Sequence, residues 1–190
     1  MSLRLLWLRW QARGLLVLGR ADAAGERFSA LLRLAPDDRH ALASKAFLHA
    51  RAGDAAAAIV VLQEMVRCHP QVASGWFNLA YLLDEARRDA QAEAAFRQAI
   101  GVDPAMDRAW YGLALLLVRQ GRLDEAAVAL QRNTELQPMS PFGWYQLARV
   151  EMDRQRVGEA RRILGHLRGF EPKVAAQLAR ELDRSMGAIG

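Results

Sequence analysis

Residues 76–104 read WFNLAYLLDEARRDAQAEAAFRQAIGVDP. Trp76, Leu79, Ala80 and Leu83 fall on one helical face, in steps of three, one and three, the mark of an amphipathic helix. Ala92, Phe96 and Ala99 take up a second stripe after a break, and Pro104 closes the stretch. Outward from here the pattern returns every 34 residues. Prolines fall at Pro36, Pro70, Pro104, Pro138 and Pro172, and only Pro141 lies off this comb. Alanine recurs at Ala12, Ala46, Ala80, Ala114 and Ala148, and again at Ala24, Ala58, Ala92, Ala126 and Ala160. Five repeats follow: 5–38, 39–72, 73–106, 107–140 and 141–174.

The physics of the spacing is that of packed helix pairs. Alanine at repeat positions 8 and 20 lets two helices approach closely, while larger residues at positions 4, 7, 11 and 24 fill the space around them. Proline at position 32 removes an N–H and pushes its predecessor out of the α region, so each second helix must end there. Asp37 and Asp38, and Ser140 before Pro141, are placed to cap the helices that follow. Gly19, Gly53 and Gly121 at position 15 mark the turn inside a pair, where positive φ is needed; Arg87 and Gln155 stand there in the third and fifth repeats.

This arrangement of Trp, Leu, Ala, Phe and Pro resembles the tetratricopeptide repeat, over nearly the whole chain. The resemblance implies an all-α fold, a right-handed α-solenoid of antiparallel helix pairs, expected here as a single domain, 1–190. Lys173–Met186, with Ala175, Leu178, Ala179, Leu182 and Met186 on helical spacing, is expected to be a solvating cap helix. Repeats 1 and 2 depart from the pattern: Gln11, Lys45 and His49 stand where large apolar residues are usual, and Glu151 does so in repeat 5.

Composition narrows the function. Hydrophobic residues make up 52% of the chain, enough for a continuous core. The formal charge is +5, yet only Lys45 and Lys173 are lysine, a bias that fits GC-rich bacterial coding. Basic residues alternate with acids, as through Glu151–Arg162, so the charge pattern is not a nucleic-acid footprint. Cys68 is the only cysteine, which leaves no disulfide or thiolate metal site, and it reads as a small apolar filler. No acid–base, nucleophile, metal or phosphate-binding motif occurs in its required context, so neither catalysis nor a cofactor is expected.

The family resemblance places binding on the concave face lined by the first helices and implies a protein or peptide ligand. Carried over position by position, it selects Phe47, Phe77, Asn78, Tyr81, Arg108, Tyr111, Phe142, Tyr145 and Arg149. These mix rigid aromatic area with polar tips, as interface hot spots do, although some could simply pack between neighbouring helices. The carboxylate clamp of the chaperone-binding members is not reproduced, since only Asn78 and Arg108 match its five positions. The expected role is a scaffold or adaptor, with an assembly factor or secretion-type chaperone as the alternative. Leu3–Leu18 carries Leu3, Leu6, Trp7 and Trp10, with Arg4, Arg9 and Arg13 interrupting it too often for a membrane span. It is expected to be a solenoid helix, leaving a cytoplasmic protein, and its apolar surface points to a membrane surface or to a homodimer.

Overall fold

The computed structural model describes residues 3–187, with side chains described through Arg184. Eleven helices are present among them and no strand. The chain forms two compact units, Met1–Val102 and Asp103–Gly190. The first contains α1 (Leu3–Val17), α2 (Ala21–Leu34), α3 (Arg39–Arg51), α4 (Ala55–Cys68), α5 (Ala73–Glu85) and α6 (Asp89–Val102). The second contains α7 (Asp107–Arg119), α8 (Leu123–Leu136), α9 (Pro141–Asp153), α10 (Val157–Arg168) and α11 (Pro172–Gly187). Helices α3, α5, α7 and α9 begin 34 residues apart, as do α2, α4, α6, α8 and α10. None is long and apolar enough to cross a membrane.

Each first helix ends in the same way. In the opening pair the Gly19 amide donates to the Leu16 carbonyl and the Arg20 amide to that of Leu15, at 3.0 and 2.9 Å. This pair of hydrogen bonds, which satisfies carbonyls the helix leaves open, needs one residue in the left-handed region. It recurs in every pair, and the left-handed residue is always at position 15: Gly19, Gly53 and Gly121 with φ of 72°, 80° and 73°, but also Arg87 at 58° and Gln155 at 61°. The turn geometry is therefore kept where glycine is missing. A side chain in that region costs roughly 1 kcal/mol, so Arg87→Gly or Gln155→Gly should each raise stability by about 0.5–1 kcal/mol, read as a higher urea midpoint. No gain in either variant would show that the arginine or glutamine side chain compensates the strain.

The cores follow the repeat positions. Ala24, Ala58 and Ala92 in the first unit, and Ala126 and Ala160 in the second, are buried, as are Phe28, Leu62, Phe96, Leu130 and Leu164 at position 24. The tryptophans at position 4 are placed differently from the core role their spacing suggests. Trp76, Trp110 and Trp144 are only half-buried. Each indole donates to the carbonyl of the proline six residues earlier, Pro70, Pro104 and Pro138, at 2.9, 3.0 and 2.8 Å. The ring thus ties the start of a first helix to the linker before it. Trp144 also packs against His166, with centroids 4.4 Å apart.

The buried polar residues Asn133, Glu151 and Asp38 each have a partner. Asn133 in α8 is buried and donates its amide to the Asp107 carbonyl at 2.9 Å. A Cβ on Gly143 would lie 2.2 Å from the Asn133 Oδ1, so glycine is what makes room for it. Glu151, buried at the end of α9, pairs with Arg154 at 2.7 Å, and Arg154 reaches Asp124 at the same distance. Asp38 caps α3 by accepting from the Ala41 amide at 2.9 Å and also holds the Arg9 guanidinium of α1. Ser140, expected to cap α9, makes no such bond; Pro141 opens that helix without an N–H to satisfy. Pro172 likewise takes the first position of α11 instead of lying in a linker. Among the residues expected in that helix, the Met186 side chain lies outside the described residues.

Asp38 gives this unit a pH dependence. Burial works against its charged form, but the Ala41 amide and the Arg9 guanidinium outweigh burial and lower its pKa below the ordinary carboxylate value. A depressed folded pKa means stability that is present above the unfolded value and is lost as pH falls through the folded one. Lowering the pH through the carboxylate range should therefore cost the wild type more than Asp38→Asn, which is less stable at neutral pH. Parallel urea titrations at neutral and acidic pH compare the two. Equal acid losses in both would remove Asp38 from the acid response.

Candidate functional site

Within the first unit, α3 and α5 leave a cleft of about 190 Å³ between them. Ala43, Ala46 and Ala50 form its α3 wall, since methyl side chains one turn apart stop short of the neighbouring helix. Phe47 stands over that wall from α3, and Asn78 and Tyr81 face it from α5. Phe47 is 59% and Tyr81 51% exposed. No charged residue lines the cleft. Its volume falls below the ~300–1,000 Å³ of typical small-molecule sites and suits a single inserted side chain. The Asn78 carboxamide can both donate to and accept from an extended backbone.

Three of the residues selected from the sequence thus meet at one place. Phe77 does not join them: it is half-buried and packs on Phe96 of α6, with ring centroids 6.2 Å apart. The alanines of the wall were passed over because nothing in a methyl group marks it as part of a site. Lys45 and His49, which repeat 2 places at apolar positions, open onto another side. They line a cleft of about 570 Å³ between α2 and α3, together with Asp22 and Glu26.

In the second unit the selected residues have different surroundings. Arg108 is exposed and Tyr111 half-buried on α7, while Phe142 is exposed at the start of α9. Tyr145 and Arg149 of α9 are engaged by α11. The Tyr145 hydroxyl donates to Glu181 at 2.6 Å and accepts from Gln177 at 2.8 Å. Arg149 lies 3.8 Å from Glu181 and sits over the Tyr145 ring at 5.9 Å. Burial and the Glu181 carboxylate push the Tyr145 phenol up; Glu181 itself is lowered, because Tyr145, Gln177 and Arg149 together outweigh its own burial. The polar face of α11 therefore includes the partners of two expected binding residues.

Cys68 touches Glu64 and Arg67, and burial with the Glu64 contact raises its thiol pKa, the opposite of an activated nucleophile. Among the described residues no group of three or more His, Cys, Asp or Glu is placed to hold a metal ion.

Helix pairs with left-handed turns at one repeat position define a helical-repeat protein. Residues 11–73 and 77–141 match the tetratricopeptide repeat, and the chain belongs to that family. Comparison with curated proteins found no match. Among solved structures it is similar to MamA, at 18% identity and a TM-score of 0.83, covering 93% of this chain and 96% of that one. A tetratricopeptide repeat protein from Parabacteroides merdae is 19% identical with a TM-score of 0.82, covering 98% of this chain and 75% of that one. YrrB, described as having an unusual peptide-binding site, is 16% identical with a TM-score of 0.76, covering 89% and 88%. At these identities the likeness is one of fold.

Proposed function

We propose that the protein is a non-catalytic scaffold that holds an extended segment of a partner protein through the cleft between α3 and α5. The observation that carries this is the pairing of Phe47 and Tyr81, both more than half exposed, across a wall of alanines. Large aromatic side chains left in water beside a recess gain the most when a partner covers them. An apolar or aromatic side chain of the partner enters the recess, while Asn78 bonds its backbone and sets the register. An assembly factor or secretion-type chaperone would use the same surface, and the arginine-over-lysine bias supports a bacterial setting.

The test is affinity capture with the wild type and with Phe47→Ala, Tyr81→Ala at equal folded concentration. A partner held by the first and lost by the second supports the cleft. Equal recovery of the same partners would place binding elsewhere.

A further inference from the structure

Helix α1 is apolar on two opposite sides. Its inner side packs on α2 through Leu8 and Ala12, which are buried, with Leu5, Leu15 and Leu16 beside them. Its outer side carries Leu3, Trp7, Trp10 and Val17, spaced four, three and seven residues apart, and all lie largely in water: Leu3 is 84% and Trp10 75% exposed. A helix apolar on two opposite sides belongs in an environment that covers both.

The charges around the stripe identify what covers it. At ~100° per residue, Arg4 and Arg13 fall about 90° to either side of the stripe's centre line. That is where a helix lying flat in a lipid interface keeps its cations, with the stems along the apolar surface and the heads among the phosphates. Helix α1 contains no Asp or Glu. Its third arginine, Arg9, is turned inward to Asp38. Beside the stripe, a recess of about 300 Å³ between α1 and α2 is lined by Arg4, Arg27 and Arg33 with Trp7, and by no carboxylate. The two carboxylates of α2, Asp22 and Glu26, line the separate cleft toward α3. A second copy packed symmetrically on α1 would bring arginines against arginines. An anionic surface neutralises them.

We propose that α1, with the arginines of α2, is a peripheral attachment site for membranes rich in anionic phospholipids. Tryptophan and leucine enter the acyl boundary, and Arg4, Arg13, Arg27 and Arg33 meet the headgroup phosphates. The site is separate from the α3–α5 cleft, so a scaffold could bind its partner while attached.

Flotation of the full chain with vesicles tests it. Vesicles of phosphatidylcholine mixed with phosphatidylglycerol should carry the protein upward, those of phosphatidylcholine alone should not, and added salt should release it. Trp7→Ser with Trp10→Ser should abolish flotation. Arg4→Gln and Arg13→Gln should each weaken partitioning by roughly fivefold. Both side-chain sets are exposed, so unchanged helical circular dichroism and urea midpoints should confirm intact folding. Failure of the wild type to float, equal binding to neutral vesicles, or variants that float like wild type would overturn the proposal. A dimer in light scattering that the tryptophan variant converts to monomer, without flotation, would assign the stripe to a second copy instead.

Discussion

Replacing Phe96 by alanine is expected to lower the unfolding free energy by about 3–5 kcal/mol, the largest loss of any single truncation considered for this chain. Phe96 is 2% exposed in α6 and is surrounded on its own helix by Ala92, Ala95 and Ala99, all buried. Methyl groups cannot swing into the space a phenyl ring leaves, so the cavity stays open. The ring also stacks at an angle on Phe77 of α5, a contact worth about 0.5–1.5 kcal/mol beyond the area it buries. Urea unfolding of the wild type and the variant measures the loss. An unchanged midpoint would remove Phe96 from the core of its unit. Trp110 should cost less to truncate, although its position in the repeat marks it as core, because its ring is half in water and much of its role is the bond to the Pro104 carbonyl.

Phe47→Ala combined with Tyr81→Ala is expected to weaken partner binding by ~4 kcal/mol, about a thousandfold in Kd. Each truncation removes a rigid aromatic surface that a partner would desolvate, at ~2 kcal/mol or more. The same change should alter folding stability by less than about 1 kcal/mol, since both side chains are more exposed than buried. Titration of a captured partner's segment into the two proteins, at matched helicity, separates the effects. A loss of tenfold or less with stability intact would show that the aromatics lie at the rim of the contact. Phe77→Ala makes the comparison sharper: through Phe96 it should destabilise the fold more than it weakens binding.

The repeat architecture was legible in the sequence because every device that produces it is short-ranged. A proline two residues beyond a helix end, an alanine where helices must close, and a left-handed residue at position 15 act within a few residues, so a 34-residue comb suffices to place the helices. Even Arg87 and Gln155 adopted the turn, because the two backbone bonds that close it do not depend on the side chain. Which faces of the first helices remain open was decided by tertiary structure. Tyr145 meets Gln177 and Glu181, which lie 32 and 36 residues further on in a helix whose own composition reads as solvent-facing. Phe77 and Asn78 are neighbours in sequence, yet a step of one turns a helical side chain by about 100°. The first therefore packs against Phe96 while the second reaches the cleft. The cleft itself exists because Ala43, Ala46 and Ala50 are too small to fill the distance set by the helices around them, and only the packed chain shows that distance.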